Sequence, residues 1–281
     1  MLGFKQYLEE KLIIINNGKK YGQIVFLGGG AGSGKGFTKD FFMEGEKFKV
    51  LDVDEFKRLY LKLNLLTNKY PELNGLDLKN PIDVAKLHAF IKKKGIVGKS
   101  KEIFFDGLEG TTPEKLPNIL FDVTMKDMDD MYYYIPLLTC LGYETINMNL
   151  IWVLAPIDEA FVNNRSRPRQ VPEDILLLTH EGVANVFWKI LFKKSDIFKQ
   201  DLLNGSVYIV SSKKDNTQFH PISPNAKDKK KMPAIKDFVY WQVKKPGKPL
   251  DKSKVEEAKS TILQSIPQTD NTIHIFKDLS K

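Results

Sequence analysis

The chain has 281 residues, 42% of them hydrophobic, with a formal net charge of +8 and a single cysteine. That length suits one large α/β domain with additions or two small domains, and the lone Cys140 excludes an internal disulfide. No apolar run approaches the ~18 residues needed to span a bilayer, so the expectation is a reducing, cytoplasmic setting without membrane contact.

Cys140 itself reads as a small buried apolar residue rather than a catalytic thiol. The charge excess is unevenly placed: residues 213–254 hold twelve lysines against four aspartates, which equals the whole net excess and leaves the remainder close to neutral. A segment of this kind fits an anionic partner, nucleic acid among them. A solvated, lysine-rich extension is the competing reading, because arginines and interleaved aromatics are scarce there.

In chain order, Phe4, Tyr7, Leu8 and Leu12 fall near helical spacing and predict a short helix over 3–13, closed by Asn16-Asn17-Gly18. An apolar strand over about 22–28 then runs into Gly29, Gly30, Ala31, Gly32, Ser33, Gly34, Lys35 and Gly36, a spacing that fits G-x-x-x-x-G-K. This is a phosphate cradle: residues without Cβ let successive N–H groups converge on phosphate oxygens, the following helix adds its positive end, and the Lys35 ammonium reaches the β/γ-phosphates. Gly36 stands where a Ser or Thr hydroxyl normally ligates Mg²⁺. Thr38, about 200° further around the helix at ~100° per residue, is not expected to replace it without a register change.

A helix over about 34–43 leads to a second strand over 48–54, ending on Asp52 and Asp54; if extended conformation persists, both carboxylates project to one side. In an open parallel sheet, ligands gather beyond the carboxyl ends of the strands, so the pair would face the same crevice as Lys35. A helix over 55–66 follows, then a loop over 71–81, and a helix from Asn80-Pro81 to Lys94 before Gly95. Within 95–117, Ile103-Phe104-Phe105 suits a short strand in a region that could cover substrate. A buried strand over 117–126, a helix over 127–141 bent at Pro136 and a strand over 142–154 continue a βαβ rhythm, which favours a parallel sheet with helices on both faces.

A helix from Ile157 runs into Arg165, Arg167 and Arg169, and after Pro172 comes a helix with an apolar face of Ile175, Leu176, Thr179, Val183, Val186, Phe187, Ile190 and Leu191. Its His180 reads as a structural or surface histidine. Residues 206–210 supply the last core strand, and the compact part is expected to end at Ser212. Phe238 to Trp241 suits an edge strand, and 251–265 a helix. The expected organisation is a P-loop kinase-like domain over 1–212 with an insert at about 67–117, followed by a lysine-rich extension over 213–281.

Taken together, the cradle, Leu51-Asp52-Val53-Asp54-Glu55-Phe56-Lys57, Phe121-Asp122-Val123-Thr124-Met125-Lys126, Gly142-Tyr143-Glu144-Thr145, and Arg165 with Arg169-Gln170-Val171-Pro172 resemble, in that order, the zeta-toxin group of P-loop small-molecule kinases over 22–212. The resemblance implies a three-layer α/β P-loop fold and ATP-dependent phosphorylation of a hydroxyl, with ATP and Mg²⁺ as cofactors. It implies that Asp54 is the base facing the acceptor, that Arg165 and Arg169 close on the ATP phosphates, and that Asp122, Thr124 and Lys126 contact the acceptor. Guanidinium suits the phosphate role because it is always charged and grips oxygens in a fork. Asp52 is then free to approach Mg²⁺.

The family reads Glu-Gly-Thr-x-Arg where this chain has Asp122 to Lys126, which implies a differently shaped pocket for the family's acceptor, a UDP-linked N-acetyl amino sugar. A further acidic contact of the family stays open among Asp106, Glu109 and Glu114. An antitoxin belongs among the partners the resemblance admits. Two other readings remain beside the small-molecule kinase: a kinase for a nucleotide or nucleic-acid hydroxyl, and a non-catalytic nucleotide-binding protein, for which Gly36 is the best argument.

Overall fold

The computed structural model describes residues 11–15, 20–44, 47–193, 197, 202–220 and 235–279, and of 53–57 the backbone alone. Strand β1 (Ile24–Gly28) is followed by α1 (Lys35–Phe37), which runs on as a π-turn over Thr38–Phe42, then β2 (Lys49–Asp52) and α2 (Val53–Thr67). Helices α3 (Pro81–Lys93) and α4 (Ile96–Asp106) lead to β3 (Ile119–Asp122), α5 (Asp129–Cys140), β4 (Met148–Leu154), α6 (Ile157–Ser166), α7 (Glu173–Phe192) and β5 (Val207–Ser211). The short strands β6 (Gln218–Phe219) and β7 (Ile235–Asp237) pair with each other, and β8 (Tyr240–Lys244), α8 (Lys252–Ser265) and α9 (Ile273–Leu279) complete the described chain.

Six strands form one sheet in the order β2-β3-β1-β4-β5-β8. The first five are parallel and β8 runs antiparallel at the edge. The sequence requires this: β1 and β4 are apolar at nearly every position and buried throughout, the signature of strands covered on both faces. On one face Phe26, Phe121, Leu150, Trp152 and Ile209 meet α5, α7, α8 and α9, with Phe187 stacked on Trp152 at 4.5 Å. On the other, Val25, Leu27, Ile151, Val153 and Val210 meet Phe42 of the π-turn, itself stacked on Phe238 at 4.0 Å. The expected α/β three-layer architecture is therefore present.

Several local expectations change. Ile103-Phe104-Phe105 is helical, inside α4, with Phe104 and Phe105 packed on the main core and Ile103 exposed. Extended conformation stops at Asp52, and the backbone of Asp54 lies in the first turn of α2, so the strand does not persist through the pair as expected. Cys140 is exposed at the end of α5, since Met131, Tyr134, Ile135 and Leu138 take that helix's buried face. Ile175 turns outward, 42% exposed, while His180 is buried. The helix expected over 3–13 lies mainly outside the described residues; at its end Ile13 forms an isolated parallel bridge to Met43.

Composition placed a boundary at 212, yet packing continues across it. Val255, Ala258 and Ile262 of α8 and Ile275 and Leu279 of α9 join the same apolar cluster as Trp152 and Phe187. Helix α7 is long and apolar enough by composition to cross a membrane; half of it is buried, with Val183, Val186, Phe187, Ile190 and Leu191 in the cluster that covers the sheet. The insert forms a cluster of its own, in which Leu73, Leu87, Ile91 and Ile96 pack with Tyr60, Tyr70 and Phe90.

Candidate functional site

The strand β1 ends at Gly28 and the chain turns through 29–34 into α1. The alternating conformation depends on Gly32 and Gly34, at φ +76° and +88°, values that L side chains rarely adopt. What decides the chemistry of the loop is where its carbonyls go. Gly29 O accepts from Lys35 Nζ at 2.8 Å, Gly30 O from Ser33 N at 3.2 Å, and Ala31 O from His180 Nε2 at 2.9 Å. Gly32 O accepts from Asn163 Nδ2 at 3.0 Å, Ser33 O from Ser212 Oγ at 2.6 Å, and Gly34 O from Thr38 N at 2.9 Å. Every carbonyl of the loop is thus engaged by the scaffold. Among the described residues, the amides of Gly30, Gly32 and Gly34 have no hydrogen-bond partner, the arrangement of a nest that binds an anion.

Three of the six donors, His180, Asn163 and Ser212, come from far along the chain, and none belongs to a motif. Asn163 lies on α6, whose Ala160 backbone touches Gly32 so closely that a Cβ there would stand 2.2 Å from the Ala160 oxygen. Thr179 and His180 lie on α7; Thr179 Oγ1 accepts from Ala31 N at 3.0 Å while His180 holds Ala31 O. A carbonyl only accepts, so His180 Nε2 carries the proton and the neutral tautomer is set. Burial pulls the imidazole from 6.5 down to about 4, with the Ala31 bond opposing and the Lys35 charge assisting. Ser212, just past β5, bonds both Ser33 O and Leu154 O, tying the loop to the end of β4. The only sequence signal for these residues was a polar Thr-His step on an apolar helix.

Gly36 is exposed, and a Cβ there would meet nothing within 4 Å. Thr38 is fully buried, and its hydroxyl has no partner among the described residues. Neither position presents an exposed hydroxyl at the start of the helix. In the parallel register Asp52 pairs with Asp122, and Asp122 with Leu27, so the ends of β2, β3 and β1 lie level at the mouth of the loop. With strands ~4.8 Å apart, the Asp122 and Asp52 backbones stand about 5 and 10 Å from that of Leu27, side chains on one face. It is the face covered by Phe37, Phe41 and Phe42 of the loop helix. Seventy residues separate these carboxylates in the sequence, and the family resemblance implies different roles for them; the sheet puts them side by side, both half-buried.

Thr124 continues from β3, and its carbonyl accepts from Gly29 N at 3.3 Å, fixing the start of the loop. Lys126 is exposed, its backbone packed against Gly182 of α7. The Asp54 backbone follows directly on Asp52, two strands from β1; its side chain lies outside the described residues. The three arginines share a closed loop: buried Asn164 donates to Val171 O at 2.7 Å and accepts from Val171 N at 3.0 Å. Arg165 grips Glu173 Oε1 through Nε and Nη2, at 3.1 and 2.5 Å, on the surface. Arg169 is half-buried and Arg167 exposed. This loop joins α6 to α7, the two helices that touch Gly32 and Ala31.

A glycine cradle between a central parallel strand and a helix, with acidic strand ends alongside, defines the class. The fold is of the P-loop type. No protein-family profile matches the sequence, and no curated protein does. Among solved structures the chain is similar to the PezAT chromosomal toxin–antitoxin system of Streptococcus pneumoniae, at 18% identity over 72% of this chain and 69% of that one, with a TM-score of 0.43. It is also similar to the AvrRxo1-ORF1:AvrRxo1-ORF2 complex with sulphate ions, at 12% identity over 88% of this chain and 66% of that one, TM-score 0.45. For AvrRxo1-ORF1:-ORF2 with ATP the identity is 12% over 92% and 71%, TM-score 0.44.

Proposed function

We propose that the chain is an ATP-dependent phosphotransferase that moves the γ-phosphoryl group to a hydroxyl of a small molecule, with nucleotide sugars as the leading acceptor class. The reading is supported above all by the loop of 29–34, whose carbonyls are all held by the scaffold while amides and Lys35 remain on the phosphate side. The zeta-toxin-like order of motifs directs it toward kinases.

In this reading the acceptor oxygen forms a bond to the γ-phosphorus, the bond to the β,γ-bridging oxygen breaks, ADP leaves, and the hydroxyl proton passes to the Asp54 carboxylate. Such transfers use a loose transition state, so positioning and charge neutralisation supply most of the rate and a carboxylate suffices as base. Lys35, now on Gly29 O, would exchange that carbonyl for phosphate oxygens. Asp52 and Asp122 would hold Mg²⁺, which characteristically takes one or two carboxylates and completes its shell with water and phosphate. When bound, the ion would neutralise charge on the transferring group. Among the described residues no group of three or more His, Cys, Asp or Glu forms a dedicated cage, in keeping with that mode. Arg165 would release Glu173 to reach the phosphates, with Arg169 beside it, and Thr124 and Lys126 would line the acceptor side. A reducing cytoplasm suits the exposed Cys140.

Incubation of the purified chain with γ-labelled ATP, Mg²⁺ and a panel of nucleotide sugars, nucleosides and oligonucleotides tests the proposal. The expected result is label on one acceptor class, lost in Asp54→Asn with ATP binding kept, and ATP binding weakened in Lys35→Ala. Full transfer by Asp54→Asn would refute the assignment of the base, and unchanged ATP affinity in Lys35→Ala the cradle itself.

A further inference from the structure

We infer that the α2–α4 insert is a docking surface for single-stranded nucleic acid. Between Lys57 and Lys101 the chain holds ten lysines and one arginine against three carboxylates. That excess of eight equals the one in 213–254 and is balanced by acidic residues elsewhere. The insert is folded around its own apolar cluster, so these charges are fixed on a helical platform rather than strung along a linker.

Some surface lysines are neutralised by carboxylates, Lys47 by Glu44 and Lys254 by Glu257, and on the insert Lys86 by Asp83 and Lys101 by Asp130. On the insert, exposed Lys69, Lys79, Lys92, Lys93, Lys94 and Lys99 have no carboxylate within ion-pair distance among the described residues. The ammonium groups of Lys69 and Lys94 sit over one ring, 5.6 and 5.7 Å from the centroid of Tyr70. Lys94 is also 5.8 Å from Phe90, whose ring meets Tyr70 edge-on at 5.2 Å. Two cations converging on a half-buried aromatic pair lower their mutual repulsion when an anion comes between them. A strand of nucleic acid supplies repeating phosphates for the lysines and base faces for the rings, the combination that single-strand binders use.

Position supports the same occupant. Helix α2 starts directly after Asp52, and Gln170 N of the arginine loop donates to Leu78 O of the insert at 3.1 Å, so the platform borders the crevice on both sides. Binding of the strand needs no phosphoryl transfer and is read without ATP, so it stands or falls apart from the kinase proposal.

Anisotropy of a labelled oligonucleotide of about 12 nucleotides with the full chain, as a function of salt, tests the inference. Four lysine–phosphate contacts predict a log–log salt slope of about −3. Lys69→Gln/Lys92→Gln/Lys93→Gln/Lys94→Gln should weaken binding at least ~10-fold and bring the slope close to zero. Lys245→Gln/Lys248→Gln on the C-terminal segment should leave both within about twofold, and so should Lys35→Ala. Unchanged melting of the exposed-lysine variant would confirm its fold. Retained affinity and slope in the insert variant, transfer of the whole loss to the Lys245/Lys248 variant, or equal competition by poly-glutamate would each overturn the proposal.

Discussion

Two glycines four positions apart should respond in opposite directions to the same methyl group. At Gly32, φ +76° costs an L-residue about 1–2 kcal/mol. The new Cβ would stand 2.2 Å from the Ala160 carbonyl oxygen, backbone of α6 that cannot rotate away. Opening that contact by about 1 Å adds roughly 1–3 kcal/mol of overpacking. It also breaks the 3.0 Å bond from Asn163 to Gly32 O, about 1 kcal/mol more. Together Gly32→Ala should lose on the order of 4 kcal/mol, a fall of about 10 °C in Tm for a chain of this size. At Gly36 the site is exposed and a Cβ meets nothing within 4 Å, so Gly36→Ala should gain about 0.5–1 kcal/mol from helix propensity. Thermal melting with and without an ATP analogue reads both variants. The ligand-induced rise in Tm should vanish in Gly32→Ala and persist in Gly36→Ala. A Gly32→Ala protein with native Tm and an intact ligand shift would refute the account of the loop.

Two other outcomes follow from the buttress and the arginine loop. Between about pH 6.5 and 4 an unfolded His180 imidazole takes up a proton that the folded one refuses, so stability rises with pH across that window. The difference is roughly 3 kcal/mol, and His180→Gln should show a correspondingly shallower decline in urea unfolding on going from pH 7 to 4.5; parallel declines would remove His180 as the cause. Glu173→Gln should change stability by less than ~1 kcal/mol, because the Arg165 pair is exposed at 62% and 56%. It should tighten ATP binding by a few-fold in calorimetry, since the guanidinium no longer has to leave a carboxylate; unchanged affinity would place Arg165 outside the phosphate site.

Much of the scaffold was legible because its signals are local. Continuous apolar runs in β1 and β4 announce strands covered on both faces, and Asn80-Pro81 announces a helix start, where Asn80 Oδ1 accepts from Ile82 N at 3.0 Å. Three consecutive apolar residues such as Ile103-Phe104-Phe105 fit either period, and here they belong to the helix Ile96–Asp106, with Phe105 packed on Tyr134 at 5.8 Å. Charge counted over the whole chain hid the basic insert behind acidic residues elsewhere. The edge strand expected over Phe238 to Trp241 is present a little further on, as β8 (Tyr240–Lys244), because its ladder to β5 sets its bounds.

By itself the sequence determined a phosphate cradle, a parallel α/β sheet and an arginine loop, since glycine spacing and hydrophobic period act over a few residues. Only the tertiary structure decided that His180, Asn163 and Ser212 turn the cradle's carbonyls outward, and that Asp52 stands beside Asp122. These depend on strand order and register, which bring together positions 70 to 179 residues apart and leave no trace in local spacing.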